Sequence, residues 1–352
     1  MKKIKILYAV SAGNVGGGES YTLEILKHID RNKFYTAVAA PKNTIFYKKA
    51  CKHCDEIHNI PFFDNFDFYS FIKLGMLMKK FDVTHSNLNR ACLFGGILGK
   101  ILKKKCIATM HGIDKVKFYR WNDRIITLSK FQYNIYSKIF GENKTLLLLP
   151  GIDIDVNSIK SFNLREKYEI SPDELIISVV ARLHVLKGHD TIIKTAELLK
   201  KDNIKFKMIF IGDGREKRRL QKLSKQRGVD NNIIFLGNVP NSAEILKNNS
   251  DIVILPSKKE NMPISILEAM TLAIPVIASD VGGINEEIDF SELLVQKFEN
   301  PEEFYEKIKL LIYNKELKEK VISHNMNKIK NEFSYEKMLK GLVKIYEEAV
   351  DI

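Results

Sequence analysis

Apolar residues fall along this chain in short, dense runs separated by mixed segments. "KIKILYAV" (3–10) predicts a strand, followed by a glycine-rich turn, an amphipathic helix near 19–29 and a second strand, "YTAVAA" (35–40). "VTHSN" (83–87) and "KCIATMHG" (105–112) read as strand ends that deliver His85 and His111 to loops. "RIITLS" (124–129) and "TLLLLP" (145–150) continue the series. The second half repeats it with "LIISVVAR" (175–182), "FKMIFIGDG" (206–214), "NIIFLG" (232–237), "DIVILPS" (251–257) and "PVIASD" (275–280). Continuous β-branched runs alternating with helical patterns predict parallel sheets covered on both faces. That alternation, present twice, predicts two doubly wound α/β domains. The polar, turn-like "PGIDIDVNSIKSF" (150–162) is the expected link between domains 1–160 and 161–333. A closing amphipathic helix over 334–352 has apolar residues at helical spacing and is expected to pack back on the first domain.

Composition agrees with folded structure. The chain has 352 residues, 45% of them apolar and only 9 proline, which favours two domains over one. No apolar run nears the roughly 18 residues of a membrane span. The opening "MKKIKILYAVSAGN" sets lysines before an apolar core, as a signal peptide does. That core is short and runs into "VGGGES", so it reads as the first strand of a cytoplasmic protein. Charge changes the picture more. Residues 1–160 hold 26 Lys and Arg against 13 Asp and Glu, whereas residues 161–352 hold 30 of each. The whole net charge of +13 thus lies in the first half and implies an anionic partner there: nucleic acid, anionic lipid or a phosphorylated substrate. Cys51 and Cys54 form "CKHC", but a zinc site wants a second ligand pair at a defined spacing, and Cys92 and Cys106 lie far away. Reduced structural thiols and no metal site are expected.

Open α/β sheets bind ligands outside the carboxyl ends of their strands, so with two such domains the site is expected in the cleft between them. Three strand ends carry candidates. After "SVVAR", Arg182 and Lys187 lie beside Gly188, and two cations at a permissive turn suit a diphosphate. "FIGDGREKRRL" (210–220) is either a phosphate-type glycine turn or simply a tight strand-to-helix turn. In "KKENMPISILEAM" (258–270), Pro263 suits the first turn of a helix, whose free N–H groups at Ile264 and Ser265 attract a phosphate. Glu260 precedes that helix and Glu268 lies inside it, about 8 Å from its start along the axis. The two carboxylates are either a cap and a surface charge, or they grip hydroxylated groups on both sides of a bound diphosphate, as in a nucleotide sugar.

These residues carry a resemblance. "ENMPISILE" resembles the glutamate, seven residues, glutamate signature of the retaining glycosyltransferases of family four, which have the GT-B fold. "ARLHVLKG" resembles their R-x4-K diphosphate clamp, at Arg182 and Lys187. "IGDG", "FLGNV", "DIVILPS" and "VIASDVGGINE" match the order of that family's donor domain. "VGGGES" resembles its N-terminal glycine loop, and "LPGID" its hinge. The resemblance covers nearly the whole chain and is most specific over 178–286. It implies a GT-B fold of two Rossmann-like domains facing across a cleft, an acceptor domain first and a donor domain second. It implies retaining, metal-independent transfer of a hexose or N-acetylhexosamine from a nucleoside-diphosphate sugar, uridine being the family's commonest base. Glu260 and His111 take catalytic roles by this resemblance. Gly17, Gly18, Arg182, Lys187, Asn238, Val239, Asn261, Met262, Pro263, Ile264, Ser265 and Glu268 take donor-binding roles. Two positions depart from the pattern. Asn261 stands where the family has glycine, and asparagine readily takes the positive φ that would keep the loop's shape. Pro150 meets Gly151 directly where the hinge often has asparagine.

In the chemistry implied, Arg182, Lys187 and the helix end stabilise the leaving diphosphate, so no metal or other cofactor is required. Glu260 orients the sugar hydroxyls as oxocarbenium character develops. The spacing of Asp153 and Asp155 mimics a metal-binding motif but falls in the predicted hinge. The acceptor, a saccharide or a lipid-diphosphate-linked one in surface polysaccharide assembly, is expected at the first domain. There "FFDNFDFYSFIKLGMLMKKF" (62–81) mixes aromatics with lysines. That segment either docks on an anionic membrane, making the protein peripheral at its inner face, or lines a core or groove. The rival readings are a sugar-nucleotide epimerase of the same fold, a basic nucleic-acid- or lipid-binding protein, and an inactive relative. The transferase signatures disfavour them, and no nucleic-acid motif is present.

Overall fold

The computed structural model describes residues 3–11, 16–113, 115–153, 155–160, 162–239 and 241–351. Val15 of the glycine loop and Ile154 of the Asp153–Asp155 pair lie outside the described residues. The chain divides into two units, one of Met1–Gly151 with Tyr335–Ile352 and one of Ile152–Ser334.

The first unit runs β1 (Ile4–Val10), α1 (Gly17–His28), β2 (Phe34–Ala40), α2 (Ile45–Ala50), β3 (Glu56–Asn59), α3 (Phe68–Met78), β4 (Val83–Asn87), α4 (Asn89–Leu102), β5 (Lys105–Met110), β6 (Arg124–Thr127), α5 (Lys130–Phe140) and β7 (Thr145–Leu147). Among the described residues its sheet has seven parallel strands in the order β3-β2-β1-β4-β5-β6-β7. The order reverses direction beside β1, so the C-terminal ends of β1 and β4 flank the switch point where such folds bind ligands. Register sets Val10 level with Asn87 and Asn87 level with Thr109, placing the segments after β1, β4 and β5 on one edge.

The second unit runs α6 (Leu164–Lys167), β8 (Leu175–Val180), α7 (His189–Lys201), β9 (Phe206–Ile211), α8 (Lys217–Gln226), β10 (Ile233–Gly237), α9 (Ser242–Leu246), β11 (Ile252–Leu255), α10 (Ile264–Thr271), β12 (Val276–Ser279), α11 (Ile284–Glu287), β13 (Leu294–Val295), α12 (Pro301–Tyr313) and α13 (Lys315–Glu332). Its sheet is parallel in the order β10-β9-β8-β11-β12-β13. Ile252, Val253 and Ile254 of β11 are buried, as are Met208, Ile209 and Phe210 of β9, which is why these strands read as unbroken apolar runs. Both units are therefore doubly wound α/β, as expected.

Ile152 pairs with Ser334 where the chain enters and leaves the second unit. The last helix, α14 (Tyr335–Asp351), belongs to the first unit. Met338, Leu342, Tyr346 and Ala349 are buried along one of its faces. The Tyr346 hydroxyl donates to the Tyr8 hydroxyl at 3.1 Å and accepts from His85 Nδ1 at 2.6 Å. His85 Nε2 meets Thr109 Oγ1 at 2.7 Å, and burial lowers the imidazole to about 3. His85 is a satisfied core histidine that ties α14 to the sheet. The strand β3, missed by the pattern, contains one apolar residue in four and lies at the sheet edge beside β2.

Candidate active site

In the second unit the candidate residues collect at the C-terminal ends of β8, β11 and β12. Lys187 closes a single 3-10 turn, Val185–Lys187, and Gly188 ends that turn with φ +64°. A Cβ on Gly188 would fall 1.9 Å from the carbonyl oxygen of Pro256. Across β11, Gly282 has φ +65°, and a Cβ there would fall 1.9 Å from the carbonyl oxygen of Glu260. Only glycine permits both approaches, and together they pin the 256–261 segment between its neighbours. The result is an ion pair between the Lys187 ammonium and the Glu260 carboxylate, with side chains 23% and 11% exposed.

Glu260 is thus not a helix cap. The cap position of α10 belongs to Pro263, which supplies no side-chain bond, one residue ahead of the first-turn place expected for it. The N–H groups of Ile264 and Ser265 open the helix without intrahelical acceptors and carry the positive end of its dipole. Glu268 accepts a hydrogen bond from Ser242 Oγ at 2.7 Å, and burial pushes its carboxyl above the usual range. It is not a free surface charge either. Met262 is buried at the same turn. Asn261 is buried as well, but it is not among the residues with positive φ. The left-handed conformation anticipated for it is not needed, because Gly282 makes the close approach instead.

Other predicted residues stand apart. Arg182 follows β8 and is exposed, and among the described residues no ion pair holds it. Asn238 is exposed beyond β10, while Val239 packs partly on the core. Cβ atoms on Gly212 and Gly214 would fall 2.2 Å from Ala181 O and 2.3 Å from Leu183 O, and Leu183 N donates to Asp213 O at 3.0 Å. The "GDG" turn therefore uses its glycines to lie against the 181–183 loop, the tight-turn reading of this motif.

In the first unit, a Cβ on Gly18 would come 2.9 Å from both His111 Cδ2 and Leu88 Cδ2, so the start of α1 is in direct contact with the histidine. Gly17 is exposed with open space around it. His111 Nε2 lies 2.8 Å from Asn87 Oδ1, and Tyr21 packs edge-on at 5.2 Å. An amide oxygen only accepts, so Nε2 carries the proton and Nδ1 is left as an acceptor. Burial lowers this imidazole to about 4, which leaves it neutral at pH 7.

Three contributors escaped the sequence reading. Asn87 sits two residues beyond the histidine singled out in "VTHSN". Ser242 carries no motif at all. Glu287, in "NEEID", looks like surface charge but is 0% exposed, and neither of its carboxyl oxygens has a partner among the described residues. Burial, and then the charges of Glu260 and Glu286, push its carboxyl well above the usual range. Among the described residues no three His, Cys, Asp or Glu side chains form a metal-ligand group.

Comparison with known proteins adds to this geometry. The family model "Glycosyl transferases group 1" matches residues 160–328, and "Glycosyltransferase Family 4" matches residues 15–156. An uncharacterized glycosyltransferase of Methanocaldococcus jannaschii is 27% identical over the full length of both chains. The O-antigen biosynthesis glycosyltransferase WclY of Escherichia coli is 28% identical over 58% of this chain and 62% of its own length. The crystal structure of Anabaena HepE in complex with UDP and glucose superposes with a TM-score of 0.85 at 18% identity, covering 98% of this chain and all of that one. At that identity the likeness speaks for the fold alone, which is the GT-B class expected.

Proposed function

Because this chain belongs to the group 1 glycosyltransferases, we propose that it moves a hexose or N-acetylhexosamine from a UDP-sugar to a saccharide or lipid-linked acceptor, with retention at the anomeric carbon. The observation that carries the donor part is the Lys187–Glu260 pair held at the open end of α10, with Glu268 inside the same helix. The α10 N–H groups and Lys187 take the diphosphate, joined by the exposed Arg182. Glu268 accepts from the ribose hydroxyls. Glu260 accepts from hydroxyls of the transferred sugar. This set of cations neutralises the charge that gathers on the leaving diphosphate, which supports catalysis without a metal.

In the transfer, the anomeric C–O bond to the diphosphate breaks and a bond to the acceptor oxygen forms on the same face. The acceptor proton leaves with the departing phosphate oxygen. His111 Nδ1, left as an acceptor by the Nε2–Asn87 bond, positions a hydroxyl of the acceptor. Surface-polysaccharide assembly is the role favoured by the similarity to WclY.

The test is thermal-shift binding against nucleoside diphosphates and nucleotide sugars, on wild type, Glu268→Ala and Arg182→Ala. A ligand at one hundred times its Kd adds about 2.7 kcal/mol. A uridine-selective shift lost in both variants is expected and must survive chelation of divalent ions. No shift with any nucleotide from a folded protein refutes the donor site. The anomeric configuration of the product, read by NMR, tests retention.

A further inference from the structure

The helix α3 buries one side and leaves the other apolar. Leu74, Leu77 and Met78 face inward, and Gly75 lies so near α4 that a Cβ there would come 3.0 Å from Leu98. Phe68, Ile72 and Met76, four residues apart, form the outward stripe at 75%, 60% and 58% exposure. The helix "FYSFIKLGMLM" has a single charged residue, Lys73. A solvated helix face is polar, and contiguous exposed apolar groups mark interaction surfaces.

The loop ahead of α3 extends the stripe with Phe63 and Phe66, 73% and 83% exposed. This loop is firmly built. Phe62 is buried with φ +48°, a conformation costly for a phenylalanine, and it sends its successor outward. Phe62 N donates to Ser70 Oγ at 3.0 Å, Phe63 N to Asp67 Oδ2 at 2.9 Å and Phe66 N to Asp64 Oδ1 at 2.7 Å. Arg90, at the start of α4, holds the carbonyls of Phe62 and Phe63. The backbone of this loop is therefore fixed with Phe63 and Phe66 held outward and mostly exposed.

We propose that the outer face of α3 and the 63–68 loop dock on an anionic bilayer, with the helix lying in the headgroup plane. Charge selects this occupant. Lys73 stands beside the stripe and Lys79 and Lys80 follow the helix, within a segment 1–160 that holds 26 Lys and Arg against 13 Asp and Glu. A second copy would bring two surfaces of the same sign together. Among the described residues no helix is long and apolar enough to cross a membrane, so contact is interfacial. Because α3 leaves the C-terminal edge of β3, its aromatic end lies on the sheet edge that carries His111 and Gly18. Docking rests on α3 alone. That it presents a lipid-linked acceptor to that edge rests on the transferase reading.

The experiment is sedimentation of the full chain with phosphatidylcholine vesicles and with vesicles containing phosphatidylglycerol, at about 0.1 M and about 1 M salt. The expected result is binding to anionic vesicles, weakened at high salt and reduced about tenfold or more in the double variant Phe66→Ser, Phe68→Ser. A Tyr313→Ser control, at a residue 70% exposed in the second unit, keeps wild-type binding. Parallel UDP thermal shifts confirm folding and separate this outcome from failure of the donor site. Absence of anionic-vesicle binding, equal binding by the double variant, or a solution dimer that the double variant dissociates each overturns the proposal.

Discussion

Lys187 cannot serve Glu260 and a diphosphate at full strength together, and this gives a signed prediction. Its ammonium is paired with Glu260, with both side chains largely out of water. Glu260→Gln keeps the shape and an acceptor oxygen but removes the charge. An exposed pair contributes up to about 1 kcal/mol and a buried one more, so a part-buried pair of this kind holds Lys187 back by about 1–2 kcal/mol. Freeing it tightens UDP binding by about 5- to 30-fold. The lost negative charge near the phosphates acts in the same direction. Transfer should nevertheless fall by about 10² or more, since the sugar loses its charged acceptor. Isothermal titration at constant physiological ionic strength measures the first effect, and product formation at saturating donor measures the second. Lys187→Met supplies the control and must weaken UDP. If Glu260→Gln leaves UDP affinity unchanged or lowers it, the competition between carboxylate and diphosphate is wrong.

Three further outcomes follow from the same contacts. Gly18→Ala pushes a methyl against His111 and Leu88, so turnover should drop about tenfold or more with a stability loss of about 1–3 kcal/mol, read from kcat and from urea midpoints. Ser242→Ala removes the hydroxyl that donates to Glu268 and favours its ionised form, so UDP affinity should weaken while stability in the absence of nucleotide changes by about 1 kcal/mol or less. His85 and His111 are depressed to about 3 and about 4, so their contribution to stability is complete above the unfolded value of about 6.5 and is lost as pH falls through the folded values. At pH 5 each should have removed about 2 kcal/mol from the first unit; Trp121, the one tryptophan, lies there, and a denaturation midpoint by its fluorescence that is flat from pH 7.5 to 5 would refute this.

Much of the architecture was legible because buried parallel strands cannot avoid being apolar along their length. β4 and the strands β8 to β12 stand where their runs predicted, to within a residue or two at most ends. The closing helix was legible for the same kind of reason, since Met338, Leu342 and Tyr346 repeat every four residues. The edge strand β3 was not, because its four residues are all only partly buried and one alone is apolar, which leaves little periodic signal. At the site, cations at a strand end beside a glycine singled out Arg182 and Lys187, and the spacing about a helix start singled out Glu260 and Glu268.

What spacing could not supply was partnership. That Glu260 is bound to Lys187, 73 positions earlier, depends on Gly188 and Gly282 bringing three loops into backbone contact. That Glu268 is held by Ser242, and His111 by Asn87, depends on elements adjacent only in the folded sheet. The 62–81 segment shows the division most clearly. Its composition could belong to a core or to a surface; only packing against α4 decided that Phe62 goes in while Phe63, Phe66 and Phe68 stay out. By itself the sequence determined which segments are strands and helices and which residue types stand at their ends, because those follow from local pattern and chain geometry. The tertiary structure decided charge state, burial and pairing, because these are set by long-range contacts and by exclusion of water, which no local pattern encodes.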